Sequence, residues 1–225
     1  MIISTPKPLS ELVTAMEAER SLFLVGCSIC AAACRVGGEK ETSAMRSQLE
    51  RLGKTVTGTA VLPGACSAFE AHRGLLLHEP EIAHADGVLV LTCGGGVQNV
   101  VQMLSDLGRP TLPVHPGADT LMQAETTGPL EFAQHCSLCG DCRLEDTGGI
   151  CPTTRCAKGL LNGPCGGTRE GRFCEVHPEH ECAWVMIYRR LEQLGRLDRL
   201  QALARPRKHS RATHPMRLSL KKTKA

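Results

Sequence analysis

Cysteine is the residue type in this chain whose spacing points to chemistry. Thirteen occur in 225 residues. Cys27, Cys30 and Cys34 form one tight set, with Cys66 and Cys93 further along. Eight more, Cys136, Cys139, Cys142, Cys151, Cys156, Cys165, Cys174 and Cys182, crowd into 47 residues. Thiols that only fill a core have no reason to recur at such short intervals. Thiolate ligation of iron–sulfur clusters or zinc is the chemistry this pattern suits.

Cys27, Cys30 and Cys34 offer three thiolates from one loop, as an iron–sulfur cube requires, and a fourth must come from a distance. Cys93 is the first choice, because Gly94-Gly95-Gly96 lets backbone approach a cluster and offers N–H groups to its sulfurs. Cys66 is the alternative, or a thiol close to the ligands. Zinc also accepts four thiolates, though its structural sites usually use paired knuckles.

In the second set, Cys136-x2-Cys139-x2-Cys142 resembles the opening of a ferredoxin run, and Cys151-Pro152 echoes its close. The match is imperfect, since eight residues separate Cys142 from Cys151 where three are expected. Eight thiolates would serve two tetrahedral zinc sites or two cubes, and both readings stand. Arg155, Lys158, Arg169 and Arg172 lie among them. They either neutralise thiolate charge or form an ordinary solvated face.

Disulfides are the competing use of so many cysteines. The count is odd, and the first 26 residues lack a basic, apolar and small-residue export pattern. The expectation is a reducing, cytoplasmic setting in which thiols stay available. No stretch approaches ~18 continuous apolar residues, so no membrane span is expected. Other catalytic signatures are lacking: no dinucleotide fingerprint, no phosphate loop, no Ser/His/Asp or paired-carboxylate arrangement. His115, ahead of Pro116-Gly117, follows the fourth expected strand and is left unassigned.

The elements around these cysteines predict an α/β fold over residues 1–125. Leu9, Leu12, Val13 and Met16 recur at helical spacing, with Pro8 and Ser10 near the start. Leu22–Val25 reads as a buried strand ended by Gly26, and Thr42–Leu52 as a helix stopped by Gly53. Thr55–Leu62 and Gly87–Leu91 read as strands, Val97–Leu107 as a helix and Thr111–Val114 as a further strand. Strands separated by helices imply a parallel sheet. Cys27, Cys66 and Cys93 each follow a strand, and ligands of open α/β sheets sit outside the strands' carboxyl ends. All five N-terminal cysteines are therefore expected on one edge, although Cys27 and Cys93 are 66 positions apart.

Residues 130–204 read as a small, loop-dominated, cysteine-rich metal-binding domain. Aromatics are 3% of the chain and large aliphatics are sparse here, so this region needs covalent or metal staples to fold. From Trp184, the positions Ile187, Tyr188, Leu191, Leu194, Leu197 and Leu200 predict a closing helix with a core-facing stripe. A basic tail over 205–225 completes the domain plan. Residues 196–225 carry ten Lys or Arg against one Asp, leaving the rest net acidic. Without interleaved aromatics this reads as a solvated or partner-docking tail, not a nucleic-acid binder.

Two stretches resemble a known family. Gly26-Cys27-Ser28-Ile29-Cys30, Cys34, Gly37-Gly38-Glu39-Lys40-Glu41, Ala85-Asp86-Gly87 and Cys93-Gly94-Gly95-Gly96-Val97-Gln98 look like the small iron–sulfur subunit of heteromeric methylenetetrahydrofolate reductase. Cys139-Gly140-Asp141-Cys142, Gly148-Gly149-Ile150-Cys151-Pro152, Cys156-Ala157-Lys158, Asn162-Gly163-Pro164-Cys165-Gly166-Gly167 and Cys174-Glu175-Val176 are similar to that family's C-terminal cysteine domain, often described as zinc-binding. Together they cover residues 20–195.

The resemblance implies a non-catalytic electron-transfer subunit with two or three [4Fe-4S] clusters, zinc in the C-terminal region as an option, and no flavin in this chain. It implies a flavin-containing large subunit as partner, with other redox subunits possible. That partner reduces methylenetetrahydrofolate to methyltetrahydrofolate in one-carbon, acetyl-CoA-pathway metabolism. Two other readings stay open: a zinc-stapled scaffold positioning a partner oxidoreductase, and a redox adaptor for some other flavoprotein.

Overall fold

The computed structural model describes residues 1–207, 216 and 218. The basic tail expected over 205–225 lies outside the described residues except at 205–207, 216 and 218. The chain divides into two compact units, Met1–Phe132 and Ala133–Ala225.

The first unit is α/β. Its elements are β1 (Ile2–Pro6), α1 (Leu9–Ala15), β2 (Ser21–Cys27), α2 (Cys30–Ala33), α3 (Glu39–Arg51), β3 (Thr55–Leu62), α4 (Ala68–Leu76), α5 (Glu79–Ala83), β4 (Gly87–Val90), α6 (Gly94–Asp106), β5 (Val114–Pro116) and β6 (Ala118–Gln123). A hairpin of β7 (Glu125–Gly128) and β8 (Glu131–Ala133) follows.

Four strands form a parallel sheet in the order β3-β2-β4-β5. Along β2 the side chains alternate between two cores, as the pleat of a strand requires. Phe23 and Val25 join Val88 and Val90 with Leu75 and Leu104 from α4 and α6. Leu22 and Leu24 join Leu89 and Leu91 with Leu12, Met16 and Leu49 on the other face. Burial on both faces explains why β2 and β4 read as continuous apolar runs.

Several boundaries differ from the sequence expectation, each for a local reason. β2 runs through Gly26 to Cys27, because Cys27 pairs with Leu62 and its N–H donates to Gly37 O at 2.7 Å. α3 starts at Glu39, where the Glu41 carboxylate accepts from the Gly38 N–H at 3.1 Å. α6 starts at Gly94, so the three glycines are its first turn and Cys93 its N-terminal cap residue. The last parallel strand is Val114–Pro116, beginning three residues after the expected start at Thr111, because the register runs from Val88 opposite Val114 to Val90 opposite Pro116. β1 pairs antiparallel with β6 in a separate two-stranded sheet.

The second unit is dominated by loops. Its described regular elements are α7 (Pro152–Arg155), α8 (Ala183–Gln193) and a 3-10 turn at Leu197–Gln201. Isolated bridges Arg169–Phe173 and Phe173–Glu181 tie the cysteine segment together. Trp184, Ile187 and Leu191 form a small core, with Cys156 and Cys182 packed against it. The closing helix is shorter than its apolar stripe suggested. It ends before Gly195, which takes φ +64, and Tyr188, Leu194 and Leu200 stand exposed. An L-residue avoids that backbone region, so glycine there ends the helix.

Candidate functional site

The carboxyl edge of the parallel sheet gathers the loops that carry the first five cysteines. Val25 lies opposite Val90, and Cys27 opposite Leu62, so β2, β3 and β4 finish at one level. The loop after β2 touches both neighbours. Ser28 N–H donates to Leu62 O at 3.0 Å, and a Cβ placed on Gly64 would lie 3.7 Å from Ile29 Cδ1. Gly37 packs so closely on Leu91 that a Cβ there would collide with the Leu91 carbonyl. Asn99 Nδ2 donates to Ala65 O at 2.7 Å, linking α6 to the loop after β3.

Within that edge the thiols fall into two local groups. Cys30 opens α2 and Cys34 follows its end, one turn on. Both meet Ile2 of β1: its N–H donates to Cys30 Sγ at 3.5 Å, and Cys34 Sγ donates to its carbonyl at 3.7 Å. Cys66 and Cys93 meet at Gly95, where a Cβ would lie 3.9 Å from Cys66 Cβ and 4.0 Å from Cys93 Sγ. Cys27 is buried at the end of β2. The Gly94 N–H is already bonded to Thr120 Oγ1 at 2.8 Å. Among the described residues the Gly95 and Gly96 N–H groups have no such bond and, in a first helical turn, lack intrahelical acceptors.

His115 does not share this edge. It lies within β5, 3.5 Å from Glu19, and near Gly87, which begins β4. Those neighbours mark the amino ends of the strands, opposite the cysteine loops.

In the second unit, Cys156, Cys165, Cys174 and Cys182 line one cavity of about 20 Å³. The bridge between Phe173 and Glu181 produces this meeting across seventeen residues of loop-rich chain, from Cys165 to Cys182. Cys174 N–H bonds His180 O at 3.0 Å and Cys182 N–H bonds Arg172 O at 2.8 Å, fixing two of the four. Arg155, Lys158 and Glu175 share the lining. Lys158 donates to Glu175 Oε1, and this hydrogen bond holds the Glu175 carboxyl below the usual carboxylate range, aided by Cys165. The same hydrogen bond raises the Lys158 ammonium above its ordinary value.

Cys136, Cys139, Cys142 and Cys151 are not gathered in that cavity. Cys136 Sγ accepts from Leu138 N–H at 3.4 Å, as Cys165 Sγ does from Gly167 N–H at 3.5 Å. Cys151 caps α7, its thiol 3.6 Å from Thr154 Oγ1.

Among the described residues, no three Cys, His, Asp or Glu side chains are arranged to hold one metal ion. The fit therefore rests on the donor set. Four thiols around one small cavity, with cations beside them, match a closed four-thiolate zinc site in number and type. Sequence reasoning missed Glu175 as part of this lining. Its position next to Cys174 and its separation from Lys158 gave no periodic signal.

Beyond this geometry, known proteins give two findings. A solved LacI-family transcriptional regulator from Arthrobacter sp. FB24, in complex with lactose, is similar over 47% of this chain and 37% of that one, at 17% identity and a TM-score of 0.36. No curated protein matches the chain. Residues 115–210 match the family described as methylene-tetrahydrofolate reductase C terminal, which links the chain to methylenetetrahydrofolate-reductase-related proteins.

Proposed function

We propose that this chain is a non-catalytic, cytoplasmic electron-transfer subunit of a methylenetetrahydrofolate reductase assembly, serving a flavin-containing partner subunit that reduces the folate. One observation carries the reading. Cys27 at the end of β2 and the loops after β2, β3 and β4, bearing Cys30, Cys34, Cys66 and Cys93, meet on a single sheet edge. The family match over residues 115–210 supports the choice of assembly.

In this reading Cys27, Cys30, Cys34 and Cys93 hold a [4Fe-4S] cluster, with Cys66 beside them. A bound cluster supplies one-electron storage. The chain's own part is positional. β1 backbone fixes Cys30 and Cys34 through Ile2, and the α6 turn presents Gly95 and Gly96 N–H groups beside Cys93. Cys136, Cys139, Cys142 and Cys151 are the donors for a further group. Cys156, Cys165, Cys174 and Cys182 are assigned to zinc, because about 20 Å³ is room for one small ion or water, not for a cube.

Anaerobic purification followed by metal analysis tests this. Brown protein with about four to eight irons, one or two cubes, bleached by dithionite, together with about one zinc, is expected. Colourless, zinc-only protein prepared without oxygen would overturn the electron-transfer role. The small thiol-lined cavity favours a second reading for that outcome: a zinc-stapled scaffold for a partner oxidoreductase.

A further inference from the structure

Residues 202–205 cross the cysteine-rich unit as a strap, and its two anchors fall inside cysteine motifs. The Arg205 guanidinium donates to Asp141 Oδ1 at 2.7 Å, and Asp141 stands between Cys139 and Cys142. The Ala204 N–H donates to Asn162 Oδ1 at 2.6 Å, and Asn162 lies three residues before Cys165. The paired residues are 64 and 42 positions apart in sequence, so neither contact is a local turn.

The first anchor is the stronger. Asp141 is 2% exposed at its side chain, and Arg143, the residue after Cys142, reaches its other oxygen at 3.6 Å. Arg143 also donates to the Arg205 carbonyl, which closes a ring of one carboxylate and two guanidinium groups. Taking a cation away from a carboxylate buried that deeply costs far more than cutting an exposed pair. The pairs of the preceding turn, Arg196–Glu145 at 2.9 Å and Arg199–Asp146 at 3.7 Å, are exposed and screened, and so contribute little. Asp141 also meets a thiol: its carbonyl accepts from Cys139 Sγ at 3.9 Å. Whatever shifts Asp141 shifts the surroundings of that sulfur.

We infer that the strap and the Cys139–Cys142 knuckle are coupled: a metal held there fixes Asp141 for Arg205, and the closed strap slows the metal's departure. Asp141 and Arg205 are positioning residues in this scheme, not ligands. Such coupling is reciprocal, so each event stabilises the other by the same factor. The strap also lines a cavity of about 940 Å³ beside α8, together with Tyr188 and Leu200. Loss of the metal therefore withdraws one wall of that cavity. The inference rests on Cys139 and Cys142 being metal donors, whichever metal they hold.

Hydrogen–deuterium exchange and timed metal loss into EDTA, on the full chain purified anaerobically with its metals, test it. The metal missing from Cys139→Ser marks the knuckle's own group. In that variant exchange across 202–205 is expected to rise by about tenfold. Arg205→Ala is expected to speed loss of that metal by about tenfold or more and to raise exchange over 139–142, and Arg205→Lys to restore most of the delay. Arg189→Ala, whose partner Glu181 lies outside the strap, should match the unsubstituted protein in both readouts. Unchanged metal loss in Arg205→Ala, or unchanged strap exchange in Cys139→Ser, would overturn the coupling while leaving the electron-transfer reading intact. A Cys139→Ser variant that keeps every metal would overturn the ligand assignment, and the coupling with it.

Discussion

The thiol of Cys165 donates to Oε1 of Glu175 at 3.2 Å. The same oxygen accepts from Lys158, so a cation stands next to a thiol–carboxylate contact. When Cys165 gives up its proton to ligate a metal, the sulfur and Glu175 become like charges. Lys158 then offsets both. Removing that cation should weaken zinc by about 10- to 100-fold, the size of other effects from groups just behind the ligands. Lys158→Ala against Lys158→Arg, measured by chelator competition, checks this; Arg should restore most of the affinity.

Four-thiolate closure makes its own demand. Cys156→Ser or Cys174→Ser should release about one zinc per chain and loosen the small core around Trp184, since Cys156 and Cys182 pack against it. Zinc analysis together with Trp184 emission follows both. Cys139→Ser should leave that zinc in place.

Iron content separates the two thiols at Gly95. Cys93→Ser should cost about four irons, one cube, whereas Cys66→Ser should leave the count unchanged. Equal loss in the two variants would mean that the fourth ligand has been assigned wrongly.

Gly37 ties the first cysteine loop to the end of β4. A methyl group there meets the Leu91 carbonyl, which is backbone and has no room to withdraw. Gly37→Ala should therefore destabilise the unit by about 1–3 kcal/mol or more and reduce cluster loading. Thermal unfolding and iron analysis on one sample report both effects.

Acid sensitivity should appear at the opposite edge of the sheet. Asp86 Oδ2 accepts from Ser21 N–H at 3.0 Å and Arg20 N–H at 3.1 Å. These bonds, with the Ser21 hydroxyl, hold its carboxyl below the ordinary value of 3.8. A lowered folded-state pKa means the contribution is present above that value and is lost as pH falls through the lower one. Asp86→Asn should reduce Tm slightly at neutral pH and flatten its fall below about pH 4. A pH series of melts checks the sign.

The sequence made parts of this structure readable and hid others for physical reasons. Gly87–Val90 stood out because burial on both faces leaves an unbroken apolar run, and Thr55–Leu62 because it is rich in β-branched residues, although as an edge strand it is only partly buried. β1 did not, since Ile2 and Ile3 pair with β6, more than 110 residues later in the chain. The meeting of Cys156, Cys165, Cys174 and Cys182 depends on two isolated bridges around Phe173, which carry no periodicity. Tyr188 sat on an apolar stripe and suggested a core position. Its exposure follows from the large cavity beside α8, a tertiary feature that helical spacing does not encode.

The pairing of β1 with β6 carries a practical consequence for anyone cutting this polypeptide into pieces. Cys30 and Cys34 rest against Ile2, and Ile2 is held by Gln123. A fragment that begins at the first helix would keep every cysteine of the motif while losing the clasp that aims two of them. Minimal versions of the first unit must therefore retain both ends of that clasp, residues 2–6 and 118–123.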